Sequence, residues 1–116
     1  MKQIKFRGIN RNGTFEYGSY VTDNPGYHAI LRRDPDDSGQ ILNTPVTPET
    51  VGQFIGLQDN NGVDIYEGDI TCEGVVIWHD EEACFCVESN DNLQQLHSIK
   101  FKIVLGNIHQ NPELIK

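Results

Sequence analysis

Turn punctuation limits this chain more than any other feature of its sequence. Asn10-Arg11-Asn12-Gly13, Asn24-Pro25-Gly26, Asp34–Gly39, Asp59-Asn60-Asn61-Gly62, Asp80-Glu81-Glu82 and Ser89–Asn92 interrupt it at short intervals. Gly adopts left-handed backbone without steric cost, and Asn and Asp bond their own main chain, so each cluster reverses the chain cheaply. A turn signal about every 8–12 residues leaves room for short strands and little room for helices. The runs between the turns agree. Ile, Val and Thr together number 26, whereas Ala occurs twice and Met once. β-Branched side chains fit pleated surfaces, while Ala and Met favour helices.

The expected elements follow. Gln3–Arg7 alternates, with Ile4 and Phe6 on one face and Lys5 and Arg7 on the other. With Thr14–Val21, which places Phe15 and Tyr17 together, it reads as an N-terminal hairpin region. Tyr27–Arg32 is a third strand. Gln53–Leu57 and Ile70–Glu73 are two more. Val75–Trp78 is continuously apolar and reads as a strand buried on both sides. Ala83–Glu88 puts Phe85 and Val87 on one face and Cys84 and Cys86 on the other. Leu93–Ser98 is ambiguous, and Ile99–Leu105 alternates as a last strand. Two helical turns are predicted, each with Pro at the first helical position. Thr47-Pro48-Glu49-Thr50 has Thr47 as its cap. Asn111-Pro112-Glu113-Leu114 has Asn111.

These elements make a mostly β fold. Short antiparallel strands form a small barrel or sandwich, with an SH3-like C-terminal part as one form of it. A length of 116 residues fits a single domain, residues 1–116, with a soft internal boundary near residues 44–48.

The net charge of −8 is unevenly spread. Residues 34–99 hold fourteen Asp and Glu and no Lys or Arg, between two mildly basic ends. A block without cations is a poor surface for phosphates, so direct nucleic-acid binding is not expected. No apolar run approaches the roughly 18 residues a spanning helix needs, and no membrane partner is expected. The N-terminus, Met1-Lys2-Gln3-Ile4-Lys5, lacks a signal-peptide stretch. Three cysteines, an odd number, then read as free thiols in a reducing cytoplasm.

Reactive chemistry has little support. Asp34-Pro35-Asp36-Asp37-Ser38-Gly39 matches the first half of a calcium loop, but the twelfth position is Pro45, which cannot chelate. Cys72, His79, Cys84 and Cys86 carry zinc-ligating atoms without the usual knuckle spacing. Trp78, Tyr17, Tyr20, Tyr27 and Tyr66 read as core aromatics rather than a base-stacking platform. No nucleophile elbow or phosphate loop occurs. No catalytic residue, metal site or cofactor is therefore expected.

One block stands out as a signature. Pro48-Glu49-Thr50-Val51-Gly52-Gln53-Phe54-Ile55-Gly56-Leu57-Gln58-Asp59-Asn60-Asn61-Gly62-Val63-Asp64-Ile65-Tyr66-Glu67-Gly68-Asp69-Ile70 strongly resembles the defining segment of the YopX family. Phe6-Arg7-Gly8 with Tyr17-Gly18 is similar to the family's opening. Val75-Val76-Ile77-Trp78 is similar to its middle strand, and Gly106–Leu114 to its ending. The cysteines lie outside the match. The resemblance implies a small, mostly β protein of phages and prophages without an established activity, and it supplies no catalytic residues. Within the signature, Ile55, Leu57, Ile65 and Ile70 are expected in the core. Asp69 is placed to satisfy backbone N–H groups in a tight turn. Tyr66, Glu67 and Asp69 are the candidate binding residues, because loop positions carry function disproportionately.

The resulting expectation is a non-enzymatic cytoplasmic protein that associates with itself, and with a host or phage protein as a further partner. Short strands and a thin core favour assembly, which adds buried surface. An acidic decoy for a host nucleic-acid-binding protein is the alternative. A metal-dependent hydrolase using His79 ranks below both.

Overall fold

The computed structural model describes residues 4–23, 26–34, 36, 39–90, 92–100 and 102–115. Eleven strands and two 3₁₀ turns account for most of them. The chain divides into two compact units, Met1–Phe54 and Ile55–Lys116.

In the first unit, β1 (Phe6–Ile9), β2 (Phe15–Asp23), β3 (Tyr27–Arg33), β4 (Ile41–Pro45) and the start of β5 (Thr47–Gln58) form one sheet. The order is β4-β3-β2-β1-β5, and the strand pairings are antiparallel. The predicted hairpin is thus real and has grown into a meander. Ala29 and Ile30 are fully buried. Arg7 is buried too, its guanidinium lying over the Phe15 ring at 4.3 Å, a cation–π contact that lets a charged head sit indoors. At Gly18 the backbone of β3 comes so close that a Cβ would lie 2.1 Å from the Leu31 carbonyl oxygen. Only Gly fits there.

Thr47–Thr50 is strand, not the predicted helical turn. The pairing of β5 with β1 shifts between Arg7↔Gly52 and Ile9↔Thr47. Pro48 falls inside that bulge, where its missing N–H breaks no ladder bond. Thr50 fills the gap: its hydroxyl accepts from the Ile9 N–H at 2.8 Å and donates to the Thr47 carbonyl at 2.6 Å. One isolated helical turn costs more to nucleate than it returns, so sheet pairing prevails.

In the second unit, β6 (Asp64–Tyr66) lies beside β5 in the strand order. A further sheet has the order β10-β9-β8-β7-β11. Its strands are β7 (Asp69–Thr71), β8 (Gly74–His79), β9 (Cys84–Ser89), β10 (Asn92–Gln95) and β11 (Val104–Asn107). Ile65, Val76, Val87, Leu96 and Ile99 form the core, with Ile55, Phe85 and Val104 packed on it. The expected antiparallel β architecture holds, but neither sheet closes into a barrel among the described residues.

Four local expectations change. β8 is not buried on both sides. Val76 is buried, but Trp78 is 45% exposed and meets Phe85 edge-on at 5.1 Å. Tyr17 and Tyr27, and Leu57 of the signature, are likewise exposed rather than core. Leu96–Ser98 is a 3₁₀ turn after β10. Among the described residues, Ile99–Leu105 is strand only from Val104, where Asn60 and Asp59 bind the backbone of Lys102 and Val104. The 3₁₀ turn Pro112–Leu114 does form with Pro at its start, although Asn111 uses its side chain elsewhere.

Candidate functional site

The signature and the ending together build three polar clamps in the second unit. The first is the turn Asp59–Gly62. Asp59 Oδ1 accepts the N–H groups of Asn61 (2.8 Å) and Val63 (2.9 Å). Its Oδ2 accepts the N–H of Val104 at 2.9 Å. Burial alone would raise this carboxyl's pKa. The three backbone donors outweigh it and hold the pKa below the usual aspartate value. Asn60 exchanges bonds with Lys102: its N–H donates to the Lys102 carbonyl, and its Oδ1 accepts the Lys102 N–H. A four-residue turn therefore fastens a segment some forty residues away.

The second clamp contains the candidate binding residues. Tyr66 and Asp69 are buried at 3% and 2% exposure, and Glu67 is half-buried. Asp69 Oδ2 accepts the Tyr66 N–H at 2.8 Å, as the sequence suggests for a tight turn. Gly68, at φ +91°, donates to the Val76 carbonyl and accepts from Ile108 N–H. The third clamp is the ending. Asn107 Oδ1 accepts the N–H groups of His109 (3.0 Å) and Gln110 (2.9 Å). Asn111 Oδ1 accepts the Asn107 N–H at 3.2 Å. Because Asn107 faces Asp69 across β11 and β7, the second and third clamps share one strand pair.

The other candidate side chains are spread out. Cys72 is exposed in the turn between β7 and β8, and His79 Nδ1 accepts the Glu82 N–H. Cys84 and Cys86 bring their sulfurs to 3.8 Å on one face of β9. Among the described residues, no group of three His, Cys, Asp or Glu side chains could hold a metal ion. The acidic loop 34–39 falls partly outside the described residues. Within it, Asp34 Oδ1 accepts the Asp36 N–H. No helix among the described residues is long and apolar enough to cross a membrane.

A cleft of about 490 Å³ opens beside the turns β7–β8 and β9–β10. Thr71, Glu73, Glu88, Asn90, Leu114 and Ile115 are among the residues that line it. Sequence reasoning did not find it, because three separate segments supply its walls and none has a motif of its own.

Comparison with known proteins gives a family and a fold. A family model described as "YopX protein" matches residues 5–116. No curated protein matches the sequence. Among solved structures, the crystal structure of protein EF1440 from Enterococcus faecalis is similar over 100% of both chains, with a TM-score of 0.52 and 20% identity. At that identity the likeness speaks to the fold.

Proposed function

The chain belongs to the YopX family, and from that premise we propose that it is a phage- or prophage-encoded, non-enzymatic protein that works by associating with itself. The signature and the ending support this reading, since their polar groups bond backbone: Asp59 and Asn107 each accept main-chain N–H groups, and Asp69 accepts that of Tyr66. These contacts are the work of a scaffold.

One observation carries the self-association, the outer edge of β4. This strand ends its sheet. The bonds Val46 N–H to His28 and Asp34 N–H to Gln40 fix which of its groups face β3. By antiparallel alternation, the main-chain groups of Ile41, Asn43 and Pro45 then point away from the sheet. Natural edge strands are usually blunted by charges, particularly Lys. β4, Ile41-Leu42-Asn43-Thr44-Pro45, has none, and Ile41 is 52% exposed.

The edge is self-complementary. An antiparallel pair of β4 strands centred on Asn43 exchanges two bonds between the Asn43 residues. Each Ile41 N–H reaches the other strand's Pro45 carbonyl. Pro45, lacking an N–H, limits growth beyond that register. Sedimentation velocity over a concentration series tests the reading. The wild type is expected to shift from monomer to dimer, and Ile41→Lys, at an exposed position, to stay monomeric. A wild type that remains monomeric throughout, or an Ile41→Lys protein that dimerises equally well, would overturn it.

A further inference from the structure

We propose that Cys84 and Cys86 are a reversible redox pair, closing an intrastrand disulfide by exchange with a small disulfide such as glutathione disulfide. The pair lies outside the signature and does not depend on self-association.

The geometry begins with the strand. Residues two apart project to the same face, and the sulfurs of Cys84 and Cys86 stand 3.8 Å apart on β9. A disulfide is about 2.05 Å long, so closure needs an approach of about 1.8 Å. Two strand residues at this spacing have Cα atoms about 6.6 Å apart, near the upper limit of what a disulfide spans. The bond can therefore form under strain. Strained disulfides are the readily reduced ones, which makes the pair reversible rather than structural.

The ends of the pair differ. Cys84 is the first residue of β9 and half-buried, so a reagent meets it first. It follows Ala83, the one described non-glycine residue at positive φ, 52°. That strained turn, not a second ladder of paired strand, adjoins the sulfur that must move. Cys86 is fully buried. Burial, aided by the neighbouring Cys84 and Glu82, pushes its thiol up to about 11. Cys86 is therefore the resolving thiol.

The exchange balances in two steps. The Cys84 thiolate attacks one sulfur of glutathione disulfide, forming the mixed disulfide and releasing a glutathione thiolate. The Cys86 sulfur then attacks the Cys84 sulfur. The protein disulfide forms, the bond to glutathione breaks, and the Cys86 proton leaves with the departing glutathione. Two thiols are oxidised and one glutathione disulfide is reduced.

The test uses the folded Cys72→Ser protein, so that only the pair remains. It is treated with glutathione disulfide and read by intact mass and thiol titration. Trp78 emission is followed to show that the fold is kept. The expected result is loss of both thiols with a mass lower by two hydrogens and no glutathione retained. Dithiothreitol restores both. Adding Cys86→Ser should stop the reaction at a glutathione adduct on Cys84. Two thiols that stay free, a stable adduct with Cys86 intact, or disulfides formed only between chains would each overturn the proposal.

Discussion

Replacing Asp59 with Asn tests the most heavily bonded side chain of the signature. The carboxylate accepts three backbone N–H groups, from Asn61, Val63 and Val104. Asn is nearly isosteric and keeps one oxygen for the two turn donors. Its amide NH₂ must then face the Val104 N–H, donor against donor. Hydrogen bonds to a charged group contribute about 1.5–3 kcal/mol each, and a buried donor left unmatched costs about 1–3 kcal/mol. Losing the Val104 bond, and the charge from the other two, should therefore destabilise the protein by about 3 kcal/mol. The assay is urea unfolding of wild type and variant at equal m-value, so that the shift in midpoint reports stability alone.

Acid gives the experiment its second arm. The folded pKa of Asp59 lies below its unfolded value of about 3.9. Between the two, the unfolded chain holds the proton and the folded chain does not. Acidification therefore favours unfolding. The contribution of Asp59 is fully present above the unfolded pKa and is lost as pH falls through the folded one. The gap between wild type and Asp59→Asn should accordingly be constant from pH 7 down to about 5 and then narrow towards pH 2. A variant within about 0.5 kcal/mol of wild type at pH 7, or a gap that does not narrow in acid, would refute the clamp.

Other outcomes follow from packing. Gly18→Ala must force a Cβ against the Leu31 carbonyl and part β2 from β3, so far-UV circular dichroism should show lost sheet or a lowered melting point, while Gly13→Ala, with open space around it, provides the control for positive φ alone. Ile65→Ala removes a fully buried side chain from the core of the second unit and should cost about 2–5 kcal/mol in denaturant unfolding. Asn107→Ala frees the His109 and Gln110 N–H groups, so their amide hydrogen exchange should accelerate while that of Val76 in the core stays slow.

The sequence made the β character legible because turn chemistry is local. Asn10–Gly13 and Asp59–Gly62 turn where their side chains bond their own backbone. Asp69 was readable for the same reason. Thr47–Thr50 misled because a capped helical start and a proline-bearing bulge share the same residues, and only pairing with β1 distinguishes them. Val75–Trp78 misled because an apolar run does not say how far along the strand the cover extends: Val76 is buried, whereas Trp78, two residues on and on the same face, is exposed. The reach of Asp59 and Asn60 to residues 102–104 was hidden for a different reason. A contact across some forty residues leaves no mark on spacing, and the cleft lined by Glu73, Glu88 and Leu114 is equally non-local. The excess of acids between residues 34 and 99 has become more specific, since Asp59 and Asp69 are buried in turns while Glu73, Asp80, Glu81, Glu82 and Glu88 are exposed.

Self-association through β4 is tested most directly by amide hydrogen exchange, read residue by residue at low and high protein concentration. The N–H groups of Ile41 and Asn43 point away from β3, so they should exchange fast when the protein is dilute and become protected as it is concentrated. Those of Leu42 and Thr44, which face β3, should be protected at both concentrations. Exchange at Ile41 and Asn43 that does not change with concentration would contradict the account.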